Sequence, residues 1–225
     1  MSNMSAVHGG VEAYILKAPM YFDGARYDYV GALPVNPEAK ILEIGCSNGA
    51  TGALALSRGK CGVYCGVEIS DRAAEIARQR ITSVVQGDIE KIDLPWEPDT
   101  FDVLVLSEVL EHLVDPWTTL RKLRRAVKSG ALVFASSPNV CQYRVLAMLL
   151  RGDWTLTDFG VMDRTHLRWF TPNTYAAMFA SSGYVVDSVG ELVPLGVMAR
   201  LVNRATLGHL RHLFVRQIDL RAHCP

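Results

Sequence analysis

Lys40-Ile41-Leu42-Glu43-Ile44-Gly45-Cys46-Ser47-Asn48-Gly49 decides the fold. An apolar strand runs into a glycine-containing turn, and a helical segment follows. At the carboxyl end of a central parallel strand, such a turn lets a small ligand lie against bare backbone. The glycine spacing narrows the ligand. A dinucleotide fingerprint needs G-x-G-x-x-G, with its second glycine close to a pyrophosphate. Ser47 stands at that second position, so a nicotinamide dinucleotide is disfavoured.

Outward from this turn the chain alternates strand and helix. That order argues for a parallel sheet with helices on both faces. Strands are predicted at 40–44, 61–67, 83–86, 101–106, 131–136 and near 184–189. Helices are predicted at 49–57, 71–80, 172–182 and 197–210. A further helix starts at Asp115-Pro116, an N-cap followed by proline. In it Trp117, Leu120, Leu123 and Val127 recur at helical spacing until Gly130. Arg121, Lys122, Arg124, Arg125 and Lys128 read as its solvated basic face. Residues 213–223 read as a final strand, and residues 1–38 as a helical N-terminal cap before a main domain at 39–225.

The length of 225 residues suits one α/β domain. A formal net charge of zero gives no electrostatic footprint for nucleic acid. No charged start with an apolar core marks a signal peptide. The apolar run at 145–150 is too short to span a bilayer. The five cysteines, at 46, 61, 65, 141 and 224, show no paired zinc spacing. They read as buried thiols in a reducing cytoplasm, the expected location.

Polar marks fall at successive strand ends. Glu68 ends the second strand, where a carboxylate can accept from two neighbouring ribose hydroxyls. Gly87-Asp88 ends the third strand, and Ser107-Glu108-Val109-Leu110-Glu111-His112 ends the fourth. Glu43-x-Gly45-x-x-x-Gly49 resembles motif I of the class I S-adenosylmethionine-dependent methyltransferases. The Leu94-Pro95-Trp96 and Phe101-Asp102-Val103 segments resemble that family's approach to its fourth strand. The resemblance implies a Rossmann-like seven-stranded α/β sheet whose last strand is antiparallel and inserted between strands five and six. It implies S-adenosyl-L-methionine as cofactor, held by Glu43, Gly45, Cys46 and Gly49 at the turn and by Glu68 and Ile69 beyond strand two. Asp88 and Ile89 would flank the adenine, and Ser107 and Glu108 would line the methionine end.

A narrower resemblance follows. Asp163-x-Thr165-His166-x-Arg168-x-Phe170-Thr171 is similar to an element of small bacterial methyltransferases, many tied to sugar and polysaccharide biosynthesis. Tyr21-Phe22-x-x-x-Arg26 resembles a segment that precedes motif I in that group, so Tyr21 and Arg26 join the expected cofactor set. An acceptor-binding insertion is thereby expected at about 140–172, with Asn139, Asp163, His166 and Arg168 facing the substrate. A hydroxyl nucleophile needs its proton removed, and histidine is the usual base near neutrality. His112 and His166 are the catalytic candidates, with Glu108 and Glu111 as further acids. His209 and His212 have helical spacing but no third ligand, so no metal site is assigned. The expected activity is O-methylation of a small-molecule acceptor, a sugar or glycan precursor. The alternatives are a methyltransferase for another metabolite, such as a quinone or polyketide intermediate, and a non-catalytic binding subunit of the same fold. Oligomeric state is not legible.

Overall fold

The computed structural model describes residues 24–192 and 194–225. Tyr21 and most of the expected N-terminal cap therefore lie outside the described residues. Seven strands form one sheet in the order β3-β2-β1-β4-β5-β7-β6. They are β1 Lys40–Ile44, β2 Val63–Glu68, β3 Ser83–Gln86, β4 Phe101–Ser107, β5 Val127–Pro138, β6 Val185–Glu191 and β7 Gln217–His223. β1 lies between β2 and β4, parallel to both, and β7 runs antiparallel to β5 and β6. The expected sheet, with its last strand inserted between five and six, is thus observed.

The helices are α1 Tyr27–Ala32, α2 Ala50–Ser57, α3 Asp71–Ala77, α4 Pro116–Arg124, α5 Tyr143–Leu150, α6 Pro172–Ser181 and α7 Val197–Ala205. Side chains alternate between the two sheet faces. Ile41, Tyr64, Val103, Val105 and Phe134 share one buried cluster with Tyr29 and Val30 of α1 and Ala55 of α2. Leu42, Ile44, Val67, Leu104 and Leu106 share the other with Leu120 and Leu123 of α4 and Tyr175, Met178 and Phe179 of α6. Burial on both faces is why β4 reads as a nearly continuous apolar run.

The caps follow the sequence. Ser70 accepts from the Ala73 amide, Asp115 from that of Thr118, and Thr171 from that of Thr174. Several boundaries differ, and α7 ends at Ala205 rather than at 210. Val127 belongs to β5, paired with Phe101, so α4 stops at Arg124. The apolar spacing ran on because the first strand residue happens to be buried where a helical one would be. Lys128 consequently leaves the basic helix face and pairs with Asp102 at 2.6 Å. α3 ends at Ala77, β2 starts at Val63, and β7 starts at Gln217 after a single 3-10 turn at Arg211–Leu213. No helix among the described residues is long and apolar enough to cross a membrane.

Candidate active site

The turn after β1 is bent onto β2. The Gly45 and Cys46 amides both donate to the Val67 carbonyl, at 2.8 and 3.1 Å. Gly45 has φ +69°, and a Cβ there would stand 2.6 Å from Val109 Cγ2. Glycine is required on both counts. Gly49 serves the fold instead: an added Cβ would meet the Ala77 backbone of α3 at 3.1 Å.

Glu68 is buried at the end of β2. Its carboxylate accepts from the Ser47 amide at 2.8 Å and the Ser70 amide at 2.9 Å. It therefore ties the β1 turn to the start of α3. Burial raises its pKa, and the bonds to Ser70 and Ser47 oppose that rise. Beside it opens a largely apolar slot lined by Gly45, Glu68, Ile69, Asp88, Ile89, Glu108, Val109, His112 and Leu113. Asp88 accepts from the Glu90 amide at 3.0 Å and pairs with Lys91 at 3.0 Å.

Gly45, Glu108 and His112 also wall a second, polar chamber of about 920 Å³, with Arg26, Glu43, Cys46, Ser107, Glu111, Asp163 and His166. Arg26 stacks 3.7 Å over the Tyr29 ring and pairs with Asp28 at 2.8 Å. Its Nη1 donates to the Ser107 and Ser136 hydroxyls, joining the ends of β4 and β5. Glu108 has φ +54°, a left-handed conformation that costs a non-glycine residue about 1–3 kcal/mol and clusters at functional sites. Burial raises the pKa of Glu108, and burial together with the neighbouring Glu108 raises that of Glu111 well above the usual range. A third cavity of about 1100 Å³ shares Glu108, Pro138 and Gly160 with the chamber and continues past Val145, Val161 and Met162 to Arg144 and Arg216.

The two candidate histidines meet in the chamber. Their ring centroids lie 4.8 Å apart, edge to face. His166 Nδ1 bonds the Val161 carbonyl at 3.1 Å, and His112 Nδ1 bonds the Thr165 carbonyl at 3.2 Å. A carbonyl only accepts, so each neutral ring carries its proton on Nδ1 and its lone pair on Nε2. Thr165 is held in turn by Asp163, whose Oδ1 accepts its amide at 2.9 Å and its hydroxyl at 2.8 Å. Glu111, His112 and His166 offer ligand atoms within 4.8 Å of one another, a donor set that suits a divalent cation. The sequence assigns no metal ligands, because it gives His112, His166 and Glu111 as acid–base candidates and shows no ligand spacing among them.

Two expected substrate residues sit elsewhere. Asn139 is a buried clamp, its amide donating to the carbonyls of His212 at 2.8 Å and Val215 at 2.7 Å. Arg168 donates to the carbonyls of Leu167 and Val114, fastening the 165–170 segment to the turn after β4. Neither lines the three cavities. Both were expected at the substrate from the resemblance, whereas here they bond backbone carbonyls. Val109, Leu113 and Ser136 carried no sequence signal and were not foreseen.

A family model described as a methyltransferase domain matches residues 25–189, and the chain belongs to that family. The ubiquinone biosynthesis O-methyltransferase of Pseudomonas aeruginosa (strain LESB58) is 32% identical over 178 residues, 76% of each chain. The enzyme of that name from Nitrosomonas europaea is 26% identical over 157 residues, 68% of this chain and 66% of its own length. An S-adenosylmethionine-dependent methyltransferase from Archaeoglobus fulgidus superposes with TM-score 0.65 at 20% identity, covering 90% of this chain and 96% of that one. One from Mesorhizobium loti superposes with TM-score 0.62 at 18% identity, over 90% and 99%. The chain thus belongs to a methyltransferase-domain family and has the fold of S-adenosyl-L-methionine-dependent methyltransferases. The site fits that cofactor: a glycine whose Cβ would meet the slot wall, and a buried acid at the end of the neighbouring strand.

Proposed function

We propose that the chain methylates a phenolic hydroxyl of a small aromatic acceptor, of the kind met in quinone biosynthesis. The names of its relatives favour this alternative over the sugar acceptor expected from the sequence. The observation that carries the reading is the edge-to-face pair of His112 and His166 in the chamber that adjoins the slot. A phenol ionises near pH 10, about where tyrosine does, so an imidazole suffices to take its proton. A sugar hydroxyl is far less acidic and would ask more of the same base. Val145, Val161 and Met162 give the third cavity an apolar patch that suits an aromatic ring or apolar tail.

S-adenosylmethionine supplies an electrophilic methyl carbon when bound. The residues then divide the work. Glu68 accepts from the ribose hydroxyls, Asp88 and Ile89 border the adenine, and Val109 and Leu113 cover it. Arg26, Ser107 and Glu108 face the methionine end. His112 removes the acceptor proton, with His166 stacked to hold it. The 140–172 insertion forms the acceptor wall through Gln142, Val145, Val161 and Asp163, rather than through Asn139 and Arg168.

A second reading rests on the Glu111, His112 and His166 cluster. A divalent cation there would lower the acceptor's pKa directly, and the histidines would be ligands instead of bases. One assay separates the readings. Methyl transfer is measured against catechol-type phenols and nucleotide sugars, before and after chelation. Turnover of phenols that survives chelation supports base catalysis. Loss that magnesium or zinc restores supports the cation. Turnover of nucleotide sugars alone would overturn the phenol assignment.

A further inference from the structure

α7 presents its apolar side to solvent. Val197, Met198 and Leu201 are 66, 72 and 59% exposed, and none of the helix's residues is buried. At 100° per residue these three share one arc with Ala205, while Arg200 and Arg204 flank it. The half-buried Ala199 and Asn203 lie on the opposite side. A soluble helix turns its apolar stripe inward, so this orientation asks for an external apolar phase.

The charge of the segment says which. Residues 194–218 carry Arg200, Arg204, Arg211 and Arg216, with His209 and His212, and no acid at all. Arg211 is paired to Glu191, outside that stretch. The chain as a whole is neutral, so the basic charge is local. Leu207, 86% exposed, and Leu210, 37% exposed, extend the apolar surface past the helix. Tyr143 of α5 contacts Phe214 of this segment with ring centroids 6.0 Å apart, and Leu146, Leu149 and Leu150 of α5 are exposed as well.

We propose that α7 and the segment after it, with α5 beside them, dock the protein on an anionic lipid bilayer. α7 would lie in the plane of the interface, with Met198 and Leu201 among the acyl chains and Arg200 and Arg204 at the headgroups. A second copy of the chain is a poor occupant, because a symmetric contact would bring the same arginines face to face. A bilayer supplies both the apolar phase and the negative potential. The third cavity, walled by Arg144, Val145 and Arg216, opens between α5 and the end of this segment. Docking would set its mouth at the surface where an apolar acceptor dissolves. The docking inference stands on the surface alone and does not depend on which acceptor is methylated.

The test is flotation of the full chain with vesicles of phosphatidylcholine, and of phosphatidylcholine mixed with phosphatidylglycerol. Wild type is expected on the mixed vesicles, less so on the neutral ones, and less as salt rises. Met198→Ser with Leu201→Ser, and Arg200→Glu with Arg204→Glu, should each lower partitioning by roughly tenfold or more. Both variants should keep wild-type affinity for S-adenosylmethionine, which shows that they fold. Absence of wild-type binding to anionic vesicles would overturn the proposal, and so would variants that float like wild type. Sedimentation that shows a dimer broken by the same substitutions, with no vesicle binding, would assign the face to a second copy instead.

Discussion

His112 and His166 stand edge to face at 4.8 Å, and each is oriented through Nδ1 by a carbonyl of the 161–165 loop. One loop thus sets both rings and points both lone pairs by the same device. His112→Ala and His166→Ala should each lower turnover, His112→Ala by about a hundredfold if it is the base. Affinity for S-adenosylmethionine, measured by calorimetry, should change little, because Glu68 and the β1 turn are untouched. A base leaves an acid limb in the pH profile that vanishes in His112→Ala. A ligand leaves turnover that excess divalent cation recovers. Full activity in both variants would remove the pair from the chemistry.

Asp163 holds Thr165 by two bonds, and Thr165 holds His112. Asp163→Asn keeps the size and an acceptor oxygen, while Asp163→Ala keeps neither. The alanine variant should lose turnover and the asparagine variant should retain most of it, with cofactor affinity unchanged in both. Equal loss in the two would mean that the negative charge, rather than the loop geometry, matters.

Glu68 already accepts two backbone amides, so its deletion acts twice. Glu68→Ala should weaken cofactor binding by about 1–3 kcal/mol through lost acceptors, and should also loosen the Ser47 turn. Glu68→Gln keeps one acceptor oxygen and should fall between. Unchanged calorimetric affinity in Glu68→Ala would sink its assignment to the ribose.

Gly45→Ala should both destabilise the fold and close the slot, because φ +69° strains any other residue and Val109 stands 2.6 Å from the new Cβ. Adding Val109→Ala relieves the clash but not the strain. Cofactor affinity should therefore recover in the double variant more than the melting temperature does. Full recovery of both would show that the turn tolerates a side chain.

The fold was legible because period and punctuation agreed. Phe101–Leu106 reads as a strand buried on both faces, and Asp115-Pro116 as a helix start. Val127 deceived because a helical period and the first residue of a strand can coincide. Gly45, Glu68 and Asp88 were legible at the site because they end strands, where parallel sheets bind ligands. Asn139 and Arg168 were misread because type and charge do not show what a side chain bonds. His112 and His166 were expected at one site from the resemblance, but the ligand set they make with Glu111 was not, because it depends on a loop with no period of its own.

Glu43 gives a prediction on pH. It is buried beneath the β1 turn, where it accepts from the Tyr64 hydroxyl at 3.0 Å. Burial raises its pKa from 4.5 to about 8; Tyr64 and Arg26 oppose the rise, and Glu68 adds to it. The unfolded chain releases this proton near pH 4.5, whereas the folded chain keeps it until about pH 8. Between those values the folded state binds more protons, so stability falls as pH rises. One proton contributes a slope of up to about 1.4 kcal/mol per pH unit inside the window; the stability it brings is fully present below the window and lost above it. Glu43→Gln preserves an acceptor for Tyr64 and has no proton to lose. Urea unfolding at a series of pH values across the window should therefore show wild type losing stability relative to Glu43→Gln, with the two curves converging toward the acid end. Parallel curves would mean that Glu43 titrates alike in both states, and that its carboxyl is already ionised in the folded protein across the window.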